Sequence, residues 1–213
     1  MGRSFKNNKG LSLIELIIVI AIMAVLVGII TPMFVKHIEK SKKAKDVWTA
    51  DQIAKAVQVA FIENPEAEEA FESWTGSQYT VSATVNGVTS SYKVCLVASS
   101  GTQNTNKVSN CFNGGSRPFY VSKTDGSDGF YGCINEQLGL DTKKMNSAIT
   151  PKYSKKKEGV TSIGGRAPGE LDRYRIVKRV DNGQMEIWAA QANPYGGFPV
   201  YRLWPVPDDI YFE

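Results

Sequence analysis

Hydrophobic residues open the chain as an almost unbroken run. Leu11 to Ile30 is twenty residues in which only Ser12 and Glu15 are polar. A helix of that length spans about 30 Å, the thickness of a bilayer's hydrocarbon core. From Met33 the pattern turns amphipathic: Val47, Ala50, Ala54, Val57 and Phe61 recur at spacings that define one helical face. Asn64-Pro65 is a stop signal. The two patterns predict one helix from Leu11 to about Ile62, roughly 75–80 Å long. Pro32 lies inside it. Its missing N–H and its clash with the Gly28 carbonyl predict a kink or local melting there.

Past Gly76 the period shortens toward two. YTVSATVNGVTSSYKVCLVA, Tyr79 to Ala98, reads as a hairpin with Asn86-Gly87 near its turn. RYRIVKRVDNGQMEIWAAQ, Arg173 to Gln191, reads as a second hairpin around Asp181-Asn182-Gly183, and Phe198 to Leu203 as a short strand. Valines, Thr84 and Tyr92 suit strands. The expectation is an α+β chain: an antiparallel sheet of about four or five strands laid on the lower half of the long helix. Ser99 to Asn110 reads as loop, Gly132 to Leu140 as a short helix, and Lys152 to Gly169 as a mobile surface segment. The aromatic tail from Tyr195 to Phe212, with Trp204, is expected to pack on the sheet.

Charge changes little. There are 25 basic and 21 acidic residues, but Arg3, Lys6 and Lys9 all precede Gly10, leaving 22 against 21 for the rest. Nucleic acid is therefore not expected as the primary partner. The lysines from Lys36 to Lys45 form a solvated, mostly basic turn. An acidic group follows at Glu63, Glu66, Glu68, Glu69 and Glu72. The sole histidine, His37, has no ligand partner at metal-binding spacing. The sequence carries no phosphate loop, no GxSxG turn and no metal cluster, so an enzyme is not expected. Asp125 and Asp128 in KTDGSDGFYG offer oxygen ligands for calcium, but their spacing departs from an EF-hand and fits an ordinary turn better. No metal or other cofactor is expected. Of the three cysteines, Cys95, Cys111 and Cys133, none forms a CxxC pair. At most one bridge can form within the chain. Which pair forms it is open, and buried free thiols are an equal alternative.

The apolar run is too long for an ordinary signal-peptide core and closes with GIITPMF, without a small-x-small site. The small residue is Gly10, on the near side of the run, after a basic leader. Lys9-Gly10, Leu11-Ser12-Leu13-Ile14-Glu15-Leu16 and the apolar stretch with Pro32 just beyond it resemble the type IV pilin family and its pseudopilin relatives over roughly residues 6 to 62. Leu11 stands where Phe is usual, Ser12 where Thr is common, and Ala24 where many pilins carry a helix-loosening Gly.

The resemblance implies an organisation: a leader over residues 1–10, a transmembrane or filament-core helix over 11–32, an amphipathic half over 33–64 and a β-sheet head over 65–213. It implies cleavage between Gly10 and Leu11 by a prepilin peptidase and N-methylation of Leu11. Glu15 would pair with the N-terminal amine of a neighbouring subunit, and the helix would bend or unwind near Pro32 in the filament. The partners would be membrane lipid, an assembly platform, minor pilins and further copies of the chain. The protein would start as a single-pass membrane prepilin and end in an extracellular pilus serving motility or adhesion. The alternatives are a pseudopilin of a secretion or DNA-uptake system and a membrane-anchored binding domain that never polymerises.

Overall fold

The computed structural model describes residues 12–73, 80–85, 88–101, 105–110, 129–140, 149–155, 170–191 and 198–212. The chain divides into two compact units, Met1–Lys40 and Ser41–Glu213. The boundary falls inside the first helix, α1, Leu13–Glu63. Helical structure runs through Pro32 without interruption, so the local melting expected there does not occur. Proline removes one donor, that to the Gly28 carbonyl, and the long helical stretches on either side hold the remaining ladder.

In the first unit the apolar side chains of α1 from Leu13 to Ile38 are exposed. In the second unit α1 turns one face into a core. Ala50, Ile53, Ala54, Val57, Ala60 and Phe61 are buried, and Val47 packs against them. The stripe is made mostly of small residues, and Phe61, near the helix end, joins the same core. Its ring stacks on Phe130 at 5.1 Å between centroids. Phe130 belongs to α3, Gly129–Gln137, the short helix expected at 132–140 but three residues earlier. A second short helix, α2, Pro65–Ser73, follows α1 directly. Pro65 suits its first position, where no backbone donor is needed.

Among the described residues the head carries a six-stranded antiparallel sheet: β1 Thr80–Val85, β2 Val88–Gly101, β3 Thr105–Asn110, β4 Leu171–Arg179, β5 Met185–Gln191 and β6 Phe198–Trp204. The path is β1-β2-β4-β5-β6, with β3 also paired to β2. The expected hairpins are β1–β2 and β4–β5; Asn86-Gly87 lies outside the described residues. The β4–β5 turn closes at Gly183, whose φ of 72° favours glycine. Among the described residues the sheet has six strands where four or five were expected, and Ser99–Gly101 and Thr105–Asn110 are strand rather than loop. β2 continues to Gly101 and β3 returns beside it. That stretch is Ser, Thr and Asn rich, so it shows no apolar alternation, and backbone pairing alone declares it a strand.

One face of the sheet presents Leu171, Tyr174, Ile176, Ile187, Ala189, Tyr201 and Leu203 to the helix core. The other face is buried as well: Tyr92, Val177 and Trp188 are inaccessible, with Tyr92 edge-on to Trp188 at 5.1 Å. β1 approaches β6, so the sheet curls and draws the side chains of this second face together. Burial of both faces explains why β4 reads as a near-continuous buried run rather than an alternating one. In the tail, Tyr201, Leu203 and Tyr211 pack as expected, whereas Phe212 is exposed.

Candidate functional site

Two places carry polar groups in settings that demand an explanation: the start of α1 and the buried seam between α1 and the head.

Ser12 precedes the helix and Glu15 lies in its first turn. The Ser12 backbone N–H donates to Glu15 Oε2 at 2.8 Å. The carboxylate thus reaches back over the helix end and satisfies one of its free donors, the second half of a capping box. The signal is present in the sequence as Ser-x-x-Glu, hidden because the same residues serve the Gly10–Glu15 motif. Further along, Thr31 Oγ1 donates to the Val27 carbonyl at 2.6 Å, which lets a hydroxyl sit in an apolar helix without an orphan proton. Around these polar groups Leu13, Ile14, Leu16, Ile17, Ile18, Val19 and Ile20 are all exposed. The helix is long and apolar enough to cross a membrane, and no part of its most apolar stretch is buried within the chain. Gly10 and Leu11 lie outside the described residues.

At the seam, Asp46 of α1 is fully buried. Its Oδ1 accepts from the Lys152 backbone N–H at 2.6 Å and the Tyr174 hydroxyl at 3.1 Å, and its Oδ2 from the Tyr153 N–H at 2.8 Å. Burial pushes the carboxyl above the ordinary carboxylate range, while the two N–H groups and the Tyr174 hydroxyl pull it back. Tyr174 is driven well above the usual phenol range by burial and by Asp46 beside it. These bonds tie residues 152–153 to the helix, so the segment expected to be mobile from Lys152 is fastened at its start. Pro151 and Tyr153 are buried; residues 156–169 lie outside the described residues. Lys43 also departs from the solvated reading. It is buried, with its ammonium 5.2 Å from the Tyr153 ring centroid. Lys36, Lys40, Lys42 and Lys45 are exposed as expected.

The second face of the sheet holds a buried charge. Glu186 accepts from Trp188 Nε1 at 2.8 Å and faces Arg202 at 3.5 Å and Arg179 at 3.9 Å. Burial raises its carboxyl above the ordinary range, against the pull of Trp188 and the two guanidinium groups. The Trp188 bond holds Oε2, while Oε1 makes no hydrogen bond and is balanced by the two guanidinium groups at ion-pair distance, an arrangement that reads as structural neutralisation of a buried charge.

The cysteines separate. Cys133, on α3, is a free thiol at the edge of the helix-side core. Burial and the Glu63 carboxylate push it up to about 12, so it stays protonated. Cys95 lies in β2, and Cys111 lies outside the described residues. Asp125 and Asp128 lie outside them too. Among the described residues there is no group of His, Cys, Asp or Glu that could hold a metal ion.

A long apolar N-terminal helix, amphipathic in its second half and covered there by an antiparallel sheet, defines an α+β architecture of type IV pilin kind. Comparison with known proteins agrees. Residues 5–31 match the family model described as the prokaryotic N-terminal methylation motif. Type IV major fimbrial proteins FimA of Dichelobacter nodosus are similar: one is 36% identical over 70 residues, covering 33% of this chain and 45% of the relative. Another is 33% identical over 70 residues, covering 33% and 44%. A third is 30% identical over 76 residues, covering 36% and 49%. The chain thus spans less than half the length of the curated relatives it matches. No solved structure matches. The resemblance of this chain to type IV pilins, drawn from Gly10, Glu15 and the apolar run, is borne out by the motif and by these fimbrial relatives.

Proposed function

We propose that this chain is a structural subunit of a type IV pilus. The observation that carries the reading is the exposed apolar face of α1 in its first unit, which coincides with the matched methylation motif. So much apolar surface needs a cover. Lipid covers it in the prepilin; the same surface of other copies covers it in the filament. Cleavage after Gly10 frees the Leu11 amine, which is then N-methylated and stays positive. Glu15 pairs with that amine on a neighbouring subunit, giving up its bond to the Ser12 N–H for a charged partner. Loss of the donor to the Gly28 carbonyl makes the turn before Pro32 the weakest of the apolar helix, and this is where the helix loosens on assembly. A prepilin peptidase, an assembly platform and minor pilins complete the set of partners. The filament lies outside the cell and supports surface motility or adhesion.

The test is mass spectrometry on protein from its native cells, with imaging of surface filaments. Assembled chains should begin at N-methylated Leu11, and deleting this chain should remove the filaments. Assembled material that retains residues 1–10 would sink the reading. Processed chains in cells that never show surface filaments would move it to a pseudopilin.

A further inference from the structure

The exposed apolar side chains of α1 extend as far as Met33, Phe34 and Val35. Lys36 is the next residue. From Met33 to Lys45 the sequence holds five lysines and one acidic residue, Glu39. The lysines are not alike. Lys43 is buried, with its ammonium 5.2 Å from the Tyr153 ring centroid. Lys45 holds its ammonium 3.8 Å from the Trp48 ring centroid. Lys36, Lys40 and Lys42 are exposed on the helix. We propose that these three bind the phosphate groups of anionic phospholipids at the bilayer surface where α1 emerges. This rests on the pilin reading only in that α1 crosses the bilayer with Lys36 on its outer side.

Three observations support it. The first is depth. With Val35 at the edge of the hydrocarbon, the helical rise puts Lys36, Lys40 and Lys42 about 2, 8 and 11 Å beyond that edge. The headgroup layer is about 5–8 Å deep, and charges act over about a further 8 Å at physiological salt. All three ammoniums are therefore within reach of lipid phosphates. The second is spacing. Lys36 and Lys40 stand one turn apart on the same side of α1, where two like charges disfavour the helix. A phosphate between them turns that repulsion into two attractions. Lys42 faces the other way and meets a different headgroup. The third is sign. Lysines beside a span ordinarily mark its cytoplasmic end. Here they stand at the other end, and cleavage after Gly10 removes Arg3, Lys6 and Lys9 from the cytoplasmic one. Orientation does not account for them, whereas an anionic surface does. Nucleic acid offers the same phosphate chemistry. It would have to displace the lipid that α1 itself brings to these lysines, and beyond Gly10 the chain is near neutral, with 22 basic against 21 acidic residues.

The experiment releases the full-length chain from nanodiscs of equal phosphatidylcholine and phosphatidylglycerol into a native mass spectrometer and counts the lipids of each kind that stay bound. Phosphatidylglycerol should be retained over phosphatidylcholine by at least about fivefold, the factor one lysine contributes near an anionic surface. Replacing Lys36, Lys40 and Lys42 together by Gln should bring the ratio close to one, and replacing them by Arg should keep it. Lys55→Gln, about five turns further along α1, should leave it unchanged. Equal retention of the two lipids by the unaltered chain would overturn the proposal. So would a preference that survives the glutamine replacement, or one that Lys55→Gln abolishes as well. Capture of a DNA duplex by the nanodisc-held chain, lost on glutamine replacement while the lipid ratio stays at one, would assign the lysines to nucleic acid instead. The pilin reading fails separately. Assembled chains that keep residues 1–10 would remove it and leave the lipid preference standing; a chain processed to Leu11 but without the preference would do the reverse.

Discussion

Glu15 can serve in two ways that single residues separate. As the third residue of a capping box it needs only an acceptor, and glutamine supplies one. As the partner of a neighbour's amine it needs a charge. Glu15→Ala and Glu15→Gln, each expressed as the only copy, should both insert in the membrane and both enter few or no filaments. A glutamine variant that assembles at the normal level would reduce Glu15 to a cap of its own helix. Asp46 is the matching case in the head. Removing its carboxylate takes the acceptor from the buried Tyr153 N–H and the part-buried Lys152 N–H and one partner from the Tyr174 hydroxyl. Asp46→Ala should therefore destabilise the head by about 3–5 kcal/mol in urea unfolding. Asp46→Asn keeps an acceptor on one side and should lose less. A loss of under about 0.5 kcal/mol for alanine would mean that residues 152–153 find other acceptors.

Among the elements, α1 changes character along its length while remaining one helix. Its first part is apolar on every side and exposed; its second part buries a stripe of small residues capped by Phe61. The stripe was legible from spacing because 3.6-residue periodicity survives in a helix that is half covered. Phe61→Ala removes a ring stacked on Phe130 and should cost about 3–5 kcal/mol, with Val57→Ala less severe. An unchanged unfolding midpoint for Phe61→Ala would contradict its burial. The strands divide differently. β4 and β5 announce themselves by β-branched and aromatic residues around Asp181-Asn182-Gly183. β3 does not, since its residues are polar and only the neighbouring edge of β2 makes them a strand.

For the whole molecule, the division at Lys40 and Ser41 sets an expectation of its own. A fragment from Ser41 to Glu213 retains the buried stripe of α1, the sheet and the Asp46 bonds, while lacking the exposed apolar stretch. It should be soluble without detergent, monomeric and cooperatively folded, as judged by sedimentation and circular dichroism. Aggregation of that fragment would show that the core needs the first part of the helix. Two buried carboxylates, Asp46 on the helix side and Glu186 on the other, mark how completely this sheet is enclosed; a sheet with one wet face would leave Glu186 solvated.

What the sequence determined by itself is what depends on neighbours along the chain. The apolar run, the amphipathic stripe and the β4–β5 turn are all local: each is a period or a spacing within a few residues, and each held, as did the resemblance carried by the Gly10–Glu15 spacing, which the matched methylation motif covers. The tertiary structure decided what depends on partners far away. Lys43 is buried with its ammonium over the distant Tyr153 ring, and residues 152–153 are fastened because Asp46, more than a hundred positions earlier, accepts their N–H groups. Helix α1 stays helical through Pro32 because one lost hydrogen bond is small against the turns on either side. Ser99 to Gly101 and Thr105 to Asn110 become paired strand because backbone donors and acceptors, which carry no sequence signature, find each other only when β2 and β3 are brought together.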